Sequence, residues 1–347
     1  MSGGVDSAVA AWLLKRQGYE VTGVYVKMWE RSGSGCLNEG SEEDAGRVAD
    51  CLGIRLAVKE AYRDFSGQVM DYFADSYLKG ETPNPCIFCN PQIKWKALLQ
   101  TADEEGAQWV ATGHYARIKR LPTGRFTIAA GLSGKDQAYV LYRLSQEQLA
   151  RTRMPLGEME KTQVRKIAAE AGIPVADKKD SMEVCFIPDN DYVKFVQSRS
   201  KRFMPPVGNF VDAAGNILGQ HQGIIRYTVG QRKGLGLAVG HPVFVTRIHA
   251  DTNEVVIGEA KDLMTSSLYC RDVCWMGMEE PGEKSGLTRA FIRIRYAHRG
   301  TWGYVMPDEG RWKAVFDEPV RAAAPGQSAV WYDEEGCILG GGIITQA

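Results

Sequence analysis

Through its first 111 residues the chain alternates helical and strand periods, and this order limits the fold more than any other feature of the sequence. Asp6 and Ser7 open a helical stretch with Val5, Val9, Trp12 and Leu13 on one face, and Gly18 closes it. Val21 to Trp29 reads as a strand, residues 42–52 as a helix with Ala45, Val48, Ala49 and Leu52 inward, and Ile54, Leu56 and Val58 as the next strand. A helix over Tyr62–Leu78 ends before Gly80, another spans Gln92–Glu105, and Trp109, Val110 and Ala111 form a short buried strand. Strands separated by helices of this length pair in parallel through crossovers. The spacing therefore predicts a doubly wound parallel α/β sheet, a fold whose ligands sit at the carboxyl ends of the strands.

Past residue 190 the texture changes. Residues 201–240 carry many glycines, the adjacent Pro205 and Pro206, and few helical runs. Short alternating segments follow at Val243–Ile248, Glu254–Gly258, Ala290–Tyr296, Trp312–Phe316 and Ser328–Tyr332, which predicts a small barrel or sandwich. A chain of 347 residues exceeds one hydrophobic core, and the boundaries are expected near 192 and 258, giving units 1–192, 193–258 and 259–347.

Lys and Arg number 42 and Asp and Glu 42, so a uniformly cationic coat is excluded and any nucleic-acid site must be a local patch. No apolar run approaches the roughly 18 residues of a membrane span. The N-terminus lacks a basic-then-apolar signal layout, so a cytoplasmic location is expected. A reducing cytoplasm would keep the eight cysteines mostly as thiols. Cys36, Cys51, Cys270, Cys274 and Cys337 read as core or incidental thiols.

Ser2-Gly3-Gly4-Val5-Asp6-Ser7 directly precedes the first helix. Two glycines let a backbone approach an anion, and the helix end points N–H groups and partial positive charge at it. Ser2 and Ser7 add hydroxyls, and Asp6 is suited to hold Mg²⁺ or orient a phosphate through it. A plain helix cap is the alternative. No Walker A string or dinucleotide fingerprint occurs. The string resembles the SGGxDS pyrophosphate loop of the ATP pyrophosphatase (PP-loop) enzymes, which split ATP into AMP and pyrophosphate to activate a substrate oxygen. In those enzymes a buried strand leads into the loop. Here the sequence begins at Met1 with no such strand, and without it the loop lacks its usual anchor.

Two further segments carry cysteines, Thr82-Pro83-Asn84-Pro85-Cys86-Ile87-Phe88-Cys89-Asn90 and Lys179–Ile187 around Cys185. The two prolines predict a stiff, extended turn between helices. Three readings compete. Zinc would need a second close pair of ligands, whereas Cys270 and Cys274 are spaced by four in a strand-like region. A thioredoxin-like pair needs its CxxC at a helix start after a strand, which these flanks do not predict. The third reading is a pair of catalytic thiols, Cys89 and Cys185, united by the fold.

SGGVDS, TPNPCxxCN, ATGHYAR (111–117), KDQAYVLYRL (135–144), KDSMEVCF and YTVGQRKGLG (227–236) follow in that order. The series is similar to the tRNA-specific 2-thiouridylases along essentially the whole chain. These enzymes put sulfur on C2 of the wobble uridine of tRNAs for Lys, Glu and Gln. The resemblance implies a PP-loop catalytic unit, a small central tRNA-binding unit and a C-terminal β-barrel. It implies ATP as substrate, with Mg²⁺, no tightly bound cofactor and no metal site of the chain's own. ATP would lie on Ser2, Gly3, Gly4, Val5, Asp6 and Ser7, with Met28 near the adenine and Gly113 at a strand end. Cys185 would carry a persulfide received from a cysteine desulfurase or relay protein. Cys89 would be the partner nucleophile, forming a disulfide with Cys185 when the sulfur leaves. Asn84, Pro85 and Cys86 would border the target base, and many members carry Asp where this chain has Cys86. His114, Lys135, Asp136, Gln137, Arg295, Tyr296 and Gln327 would touch tRNA.

Arg289, Arg293 and Arg295 alternate with Ala290, Ile292 and Ile294, which puts three arginines on one strand face beside Phe291, available for phosphates or simply solvated. Arg226, Arg232 and Lys233 form a second basic cluster with the same two readings. His114 reads either as a structural residue or as a ligand contact at a strand end. A loop over residues 179–187 is expected to close on the flipped base. Two other classes remain: a different PP-loop adenylating enzyme, and a non-catalytic tRNA-binding relative.

Overall fold

The computed structural model describes residues 1–29, 41–132, 134–179, 184–187, 189–200, 204–282 and 286–346. Its first part is the expected α/β unit. Helix Val5–Arg16 follows the glycine turn. Strand Thr22–Lys27 leads through helix Ser41–Leu52 to strand Arg55–Glu60, and the two strands pair in parallel. A second parallel pair joins Val110–Ala111 to Thr152–Arg153. A cavity of about 700 Å³ separates the pairs, with Gly23 and Val24 on one rim and Val110 and Ala111 on the other. Neither rim strand has a ladder partner on its cavity side among the described residues, and the Met1 amino group donates to the Val24 carbonyl there.

Two helices contain wide turns. The helix expected over Tyr62–Leu78 runs as Tyr62–Phe65, a π-helical turn Ser66–Met70, and Asp71–Leu78. The helix expected from Gln92 starts earlier, at Cys86–Cys89, passes through a π-helical Asn90–Trp95 and continues as Lys96–Glu104. The extended turn expected for the CxxC segment is thus corrected. The prolines hold the chain extended only as far as Asn84. Pro85, at φ −66°, is already set for a helix, and the Cys89 N–H donates to its carbonyl at 3.0 Å. Pro91 cannot donate to the carbonyl four residues back, and the wider π register is a helix's way of absorbing such a gap.

The glycine-rich second half folds as two β units. In the first, strands Ile217–His221, Gly208–Val211, Glu254–Gly258 and Phe244–His249 lie side by side in that order. In the second, Met264–Trp275, Arg311–Arg321, Thr301–Asp308, Thr288–Arg293, Ser328–Tyr332 and Ile338–Ile344 close a six-stranded antiparallel barrel. The hairpin of Ala116–Arg120 with Phe126–Ala130 was not read from the sequence, nor were the barrel strands at 264–275, 301–308 and 338–344. Cys270 and Cys337 are buried and Cys274 partly so, whereas Cys51 is exposed. Cys36 lies outside the described residues.

The cores explain where the site sits. Cys89 belongs to an aromatic core shared with the central unit, including Phe65, Phe73, Phe186, Phe210 and Tyr227. Ile87, two residues earlier, belongs to a core with Tyr139, Tyr142, Val330 and Ile338 that reaches the barrel. Residues two apart on a helix point roughly opposite ways. One short helix therefore buries one side against each neighbouring unit, and the CxxC lies where all three meet.

Candidate active site

The glycine turn is held by its own hydroxyls. Ser2 N–H donates to Ser7 Oγ at 3.1 Å, the two Oγ atoms are 3.2 Å apart, and Ser7 Oγ donates to the Gly4 carbonyl at 3.0 Å. Gly3 has φ +68°, and a Cβ there would lie 2.4 Å from the Ser41 carbonyl oxygen, so only glycine fits. Gly4 caps the helix, whose first N–H groups face the turn. Asp6 Oδ1 accepts from Tyr115 Oη at 2.7 Å and Lys161 Nζ at 2.6 Å. Lys178 Nζ donates to the Gly3 carbonyl at 3.1 Å and to Asp44 at 2.6 Å. The sequence reading missed both lysines. Lys161 opens the helix Lys161–Glu170 and Lys178 lies in the turn-rich segment beyond it, and each looks like any surface lysine until the chain folds.

Gly113 packs on this turn, and Met28 packs on one of the thiols. A Cβ on Gly113 would meet the Asp6 carbonyl carbon at 2.6 Å and Ser7 N at 2.8 Å, so the strand end packs directly on the turn. Met28, at the end of strand Thr22–Lys27, has its Sδ 3.9 Å from Cys89 Sγ. One residue thus stands between the expected nucleotide side and the thiols.

Cys89 is 5% exposed, Cys185 is half-buried and packs against the same core, and Cys86 is exposed. All three are unbridged thiols. Phe186 anchors the Cys185 segment edge-on against Phe65 and Phe73, with centroids at 5.6 and 5.3 Å. Residues 180–183 of the expected closing loop lie outside the described residues. Burial pushes the Cys89 thiol up to about 11 and the Cys185 thiol to about 12. A bare thiol at either position is protonated at neutral pH, and each further negative neighbour makes ionisation harder.

Lys94 opposes that penalty. It lies five residues after Cys89, and the π-helical turn between them brings it back to the same side. Its charge lowers the pKa of both Cys89 and Cys185. Burial works against the ammonium, and coupling to the Cys89, Cys86 and Cys185 sulfurs in their ionised form outweighs it, so its own pKa is raised. This role is hidden at the level of sequence, because a lysine in a helical period reads as solvent-facing. Replacing Lys94 by Gln should slow alkylation of Cys89 and Cys185 by about tenfold at pH 8 and move the alkylation midpoint upward, since one pKa unit changes the thiolate fraction tenfold. Lys94→Arg should restore most of the rate, and an unchanged midpoint in Lys94→Gln would show that the ammonium does not act on the thiols.

His114 stacks beside Trp95 at 5.6 Å, and its Nδ1 is 3.0 Å from Thr112 Oγ1. Burial, with the Lys94 charge behind it, lowers its pKa to about 3, so it is a neutral imidazole. Asn84 Oδ1 accepts the Cys86 N–H at 3.2 Å. The residues expected to touch tRNA make bonds of their own, and two of them, Asp136 and Gln327, bond between the N-terminal unit and the barrel. Asp136 accepts from two backbone N–H groups and from Arg293 of the barrel at 3.1 Å. Gln137 accepts the Tyr115 N–H, Gln327 donates to the Thr82 carbonyl at 2.8 Å, and Arg295 donates to the Arg321 carbonyl at 3.0 Å. Tyr296 is 43% exposed. The alternation at Arg289–Arg293 is present, with Ala290 and Ile292 fully buried, and Arg289 makes a two-pronged pair with Asp317. Among the described residues no group of three or more His, Cys, Asp or Glu converges as a metal site would require, and no helix is long and apolar enough to cross a membrane.

Comparison with known proteins covers nearly the whole length. Residues 1–189 match the family described as the tRNA methyl transferase HUP domain, 194–259 its PRC-barrel domain, and 265–344 the aminomethyltransferase beta-barrel domain. The tRNA-specific 2-thiouridylase MnmA of Lachnoclostridium phytofermentans is 46% identical over 355 aligned residues, covering 100% of this chain and 98% of that protein. The protein of the same name from Clostridium perfringens is 46% identical over 99% of this chain and 96% of its own length. The tRNA-specific 2-thiouridylase MnmA 2 of Clostridium botulinum is 44% identical over 100% and 97%.

Proposed function

The chain belongs to the family of tRNA-specific 2-thiouridylases, and from that premise we propose that it replaces the C2 oxygen of the wobble uridine of tRNA by sulfur, at the expense of ATP. The observation that supports this reading is the Met28 contact: Met28, expected beside the adenine, lies with its Sδ 3.9 Å from Cys89 Sγ, which is what one site holding both nucleotide and thiols requires.

The chemistry needs both halves. The C2 oxygen is a poor leaving group, and adenylation turns it into an oxygen of AMP, which departs readily. The N–H groups at the Gly4 helix start, with Lys161 and Lys178 nearby, supply fixed positive potential where pyrophosphate charge develops. Asp6 is the one carboxylate of the turn and is already bonded to Tyr115 and Lys161. A magnesium ion would therefore be held mainly by the triphosphate's oxygens, where it would neutralise phosphate charge.

On the sulfur side, Cys185 carries a sulfane sulfur supplied by a donor protein such as a cysteine desulfurase or relay protein. A persulfide ionises more readily than a thiol, which matters where burial pushes thiols to about 11 and 12. The terminal sulfur attacks C2 and AMP leaves. The Cys89 thiolate then attacks the Cys185 sulfur, leaving a Cys89–Cys185 disulfide and 2-thiouridine. His114 as a neutral imidazole is suited to a hydrogen bond with an extruded base. An anticodon-loop uridine is single-stranded, so splaying it out costs little. The expected acceptors are tRNAs for Lys, Glu and Gln, in the cytoplasm.

The test is incubation with ATP, tRNA and a persulfide donor, followed by mass spectrometry of tRNA nucleosides. One 2-thiouridine with one AMP and one pyrophosphate is expected. Pyrophosphate without 2-thiouridine would mean a different adenylating enzyme, and neither product would mean a tRNA-binding relative.

A further inference from the structure

The disulfide that ends each turnover has to be reduced, and the structure bears on how. Cys89 is 5% exposed beneath an aromatic core, and Cys185 is half-buried against the same core. A reductant protein must bring its own thiolate onto a disulfide sulfur, and access is one of the factors that set that rate. A bridge between these two sulfurs would be poorly placed for attack from outside.

Cys86 is placed differently. It is exposed, and it opens the helical turn on which Cys89 is the fourth residue. Residues three apart on a helix have Cα atoms about 5 Å apart, inside the roughly 4.4–6.8 Å window of disulfides. The Asn84 side chain fixes the Cys86 N–H, and Pro85 fixes the entry into the turn, so the pair is held in register. This is the CxxC at a helix start that the flanking sequence did not predict. Cys86 and Cys89 share one helical turn, and Cys185 packs against the same aromatic core as Cys89, so Cys89 stands between the two other thiols in the packing.

We propose that Cys86 is a relay thiol, which moves the disulfide left by sulfur transfer from the buried Cys89–Cys185 pair to an accessible Cys86–Cys89 pair. The step is an exchange with no net redox change. Cys86 thiolate attacks Cys89 Sγ, the Cys86–Cys89 bond forms, the Cys89–Cys185 bond breaks, and Cys185 leaves as thiolate in the field of Lys94. Cys185 is then free to accept the next sulfur. The Cys86–Cys89 disulfide is reduced at the surface by an external dithiol, a thioredoxin-type protein, which is oxidised in turn. The proposal rests on the sulfur-transfer reading above.

The experiment runs one turnover of the full chain without reductant, quenches it with an alkylating reagent and maps the bridges by peptide mass spectrometry. The expected bridge is Cys86–Cys89, with Cys185 alkylated. A Cys89–Cys185 bridge with Cys86 alkylated, or a Cys86–Cys185 bridge, would overturn the relay. Absence of 2-thiouridine from that turnover would instead count against the function itself. In a second arm, steady-state thiolation is compared with a protein dithiol and with a small phosphine reductant. The ratio of the two rates should drop about tenfold in Cys86→Ser, because only the protein dithiol needs the exposed sulfur. Using the ratio cancels any effect of position 86 on base binding. Cys86→Asp supplies charge without sulfur and should show the same drop, and a ratio restored by Asp would assign position 86 an electrostatic role in place of the relay.

Discussion

Replacing Cys185 by serine is expected to reduce 2-thiouridine formation by at least about a thousandfold, because a hydroxyl cannot carry a sulfane sulfur and the covalent route disappears. Binding of tRNA should remain, since Cys185 makes up little of the surface that a tRNA would cover. Cys89→Ser should be as inactive in turnover with a different signature. Sulfur still loads onto Cys185 from the donor and stays there without ATP and tRNA, whereas with them the Cys185–S–S–C2 intermediate is not resolved because the thiol that attacks the Cys185 sulfur is gone. Intact-protein mass spectrometry after incubation with the persulfide donor separates the two: an extra sulfur on Cys89→Ser, none at this site on Cys185→Ser. Substantial thiolation by Cys185→Ser would end the persulfide assignment. Neither serine should unfold the chain, as the substitution is small and Cys185 is only half-buried.

The second large effect is expected at Gly113. A single methyl there would sit 2.6 Å from the Asp6 carbonyl carbon and 2.8 Å from Ser7 N, both backbone atoms that cannot swing aside. Forcing a methyl into so close a contact costs about 1–3 kcal/mol, and the turn would relieve it by moving. If the turn binds the triphosphate, Gly113→Ala should weaken ATP by about ten- to a hundredfold, which is what such a strain is worth in affinity. Binding of tRNA alone should change little. Equilibrium binding of ATP, read alongside the urea midpoint, checks this. Unaltered ATP affinity would move the nucleotide away from this turn.

Much of this architecture is legible locally. The strand and helix periods before residue 112 produce the first parallel pair and one strand of the second, and the strands read at 243–248, 254–258, 290–296, 312–316 and 328–332 all overlap observed ones. The strands that escaped notice include Ile338–Ile344, whose three glycines hide the alternation, and Thr301–Asp308, which contains Pro307. The CxxC helix escaped because two prolines were taken as breakers when the second of them begins the helix.

The site divides in the same way. The glycine turn, Gly113 and the two thiol segments are visible in the sequence because each needs a particular residue type at a particular spacing. Lys94, Lys161 and Lys178 are not, since a lysine's role depends on what packs around its ammonium. The bonds of Asp136 and Gln327 between units are hidden for a related reason. Gln327 reaches Thr82 and Arg293 reaches Asp136 across 245 and 157 positions, distances over which no local period carries information. The order of elements and the reactive groups were thus set by the sequence alone, through short-range periodicity and residue chemistry. Which charges face the sulfurs, and which thiol faces solvent, were decided only when three units packed through shared cores around one helical turn, because burial and electrostatic field belong to the packed assembly and to no segment of it.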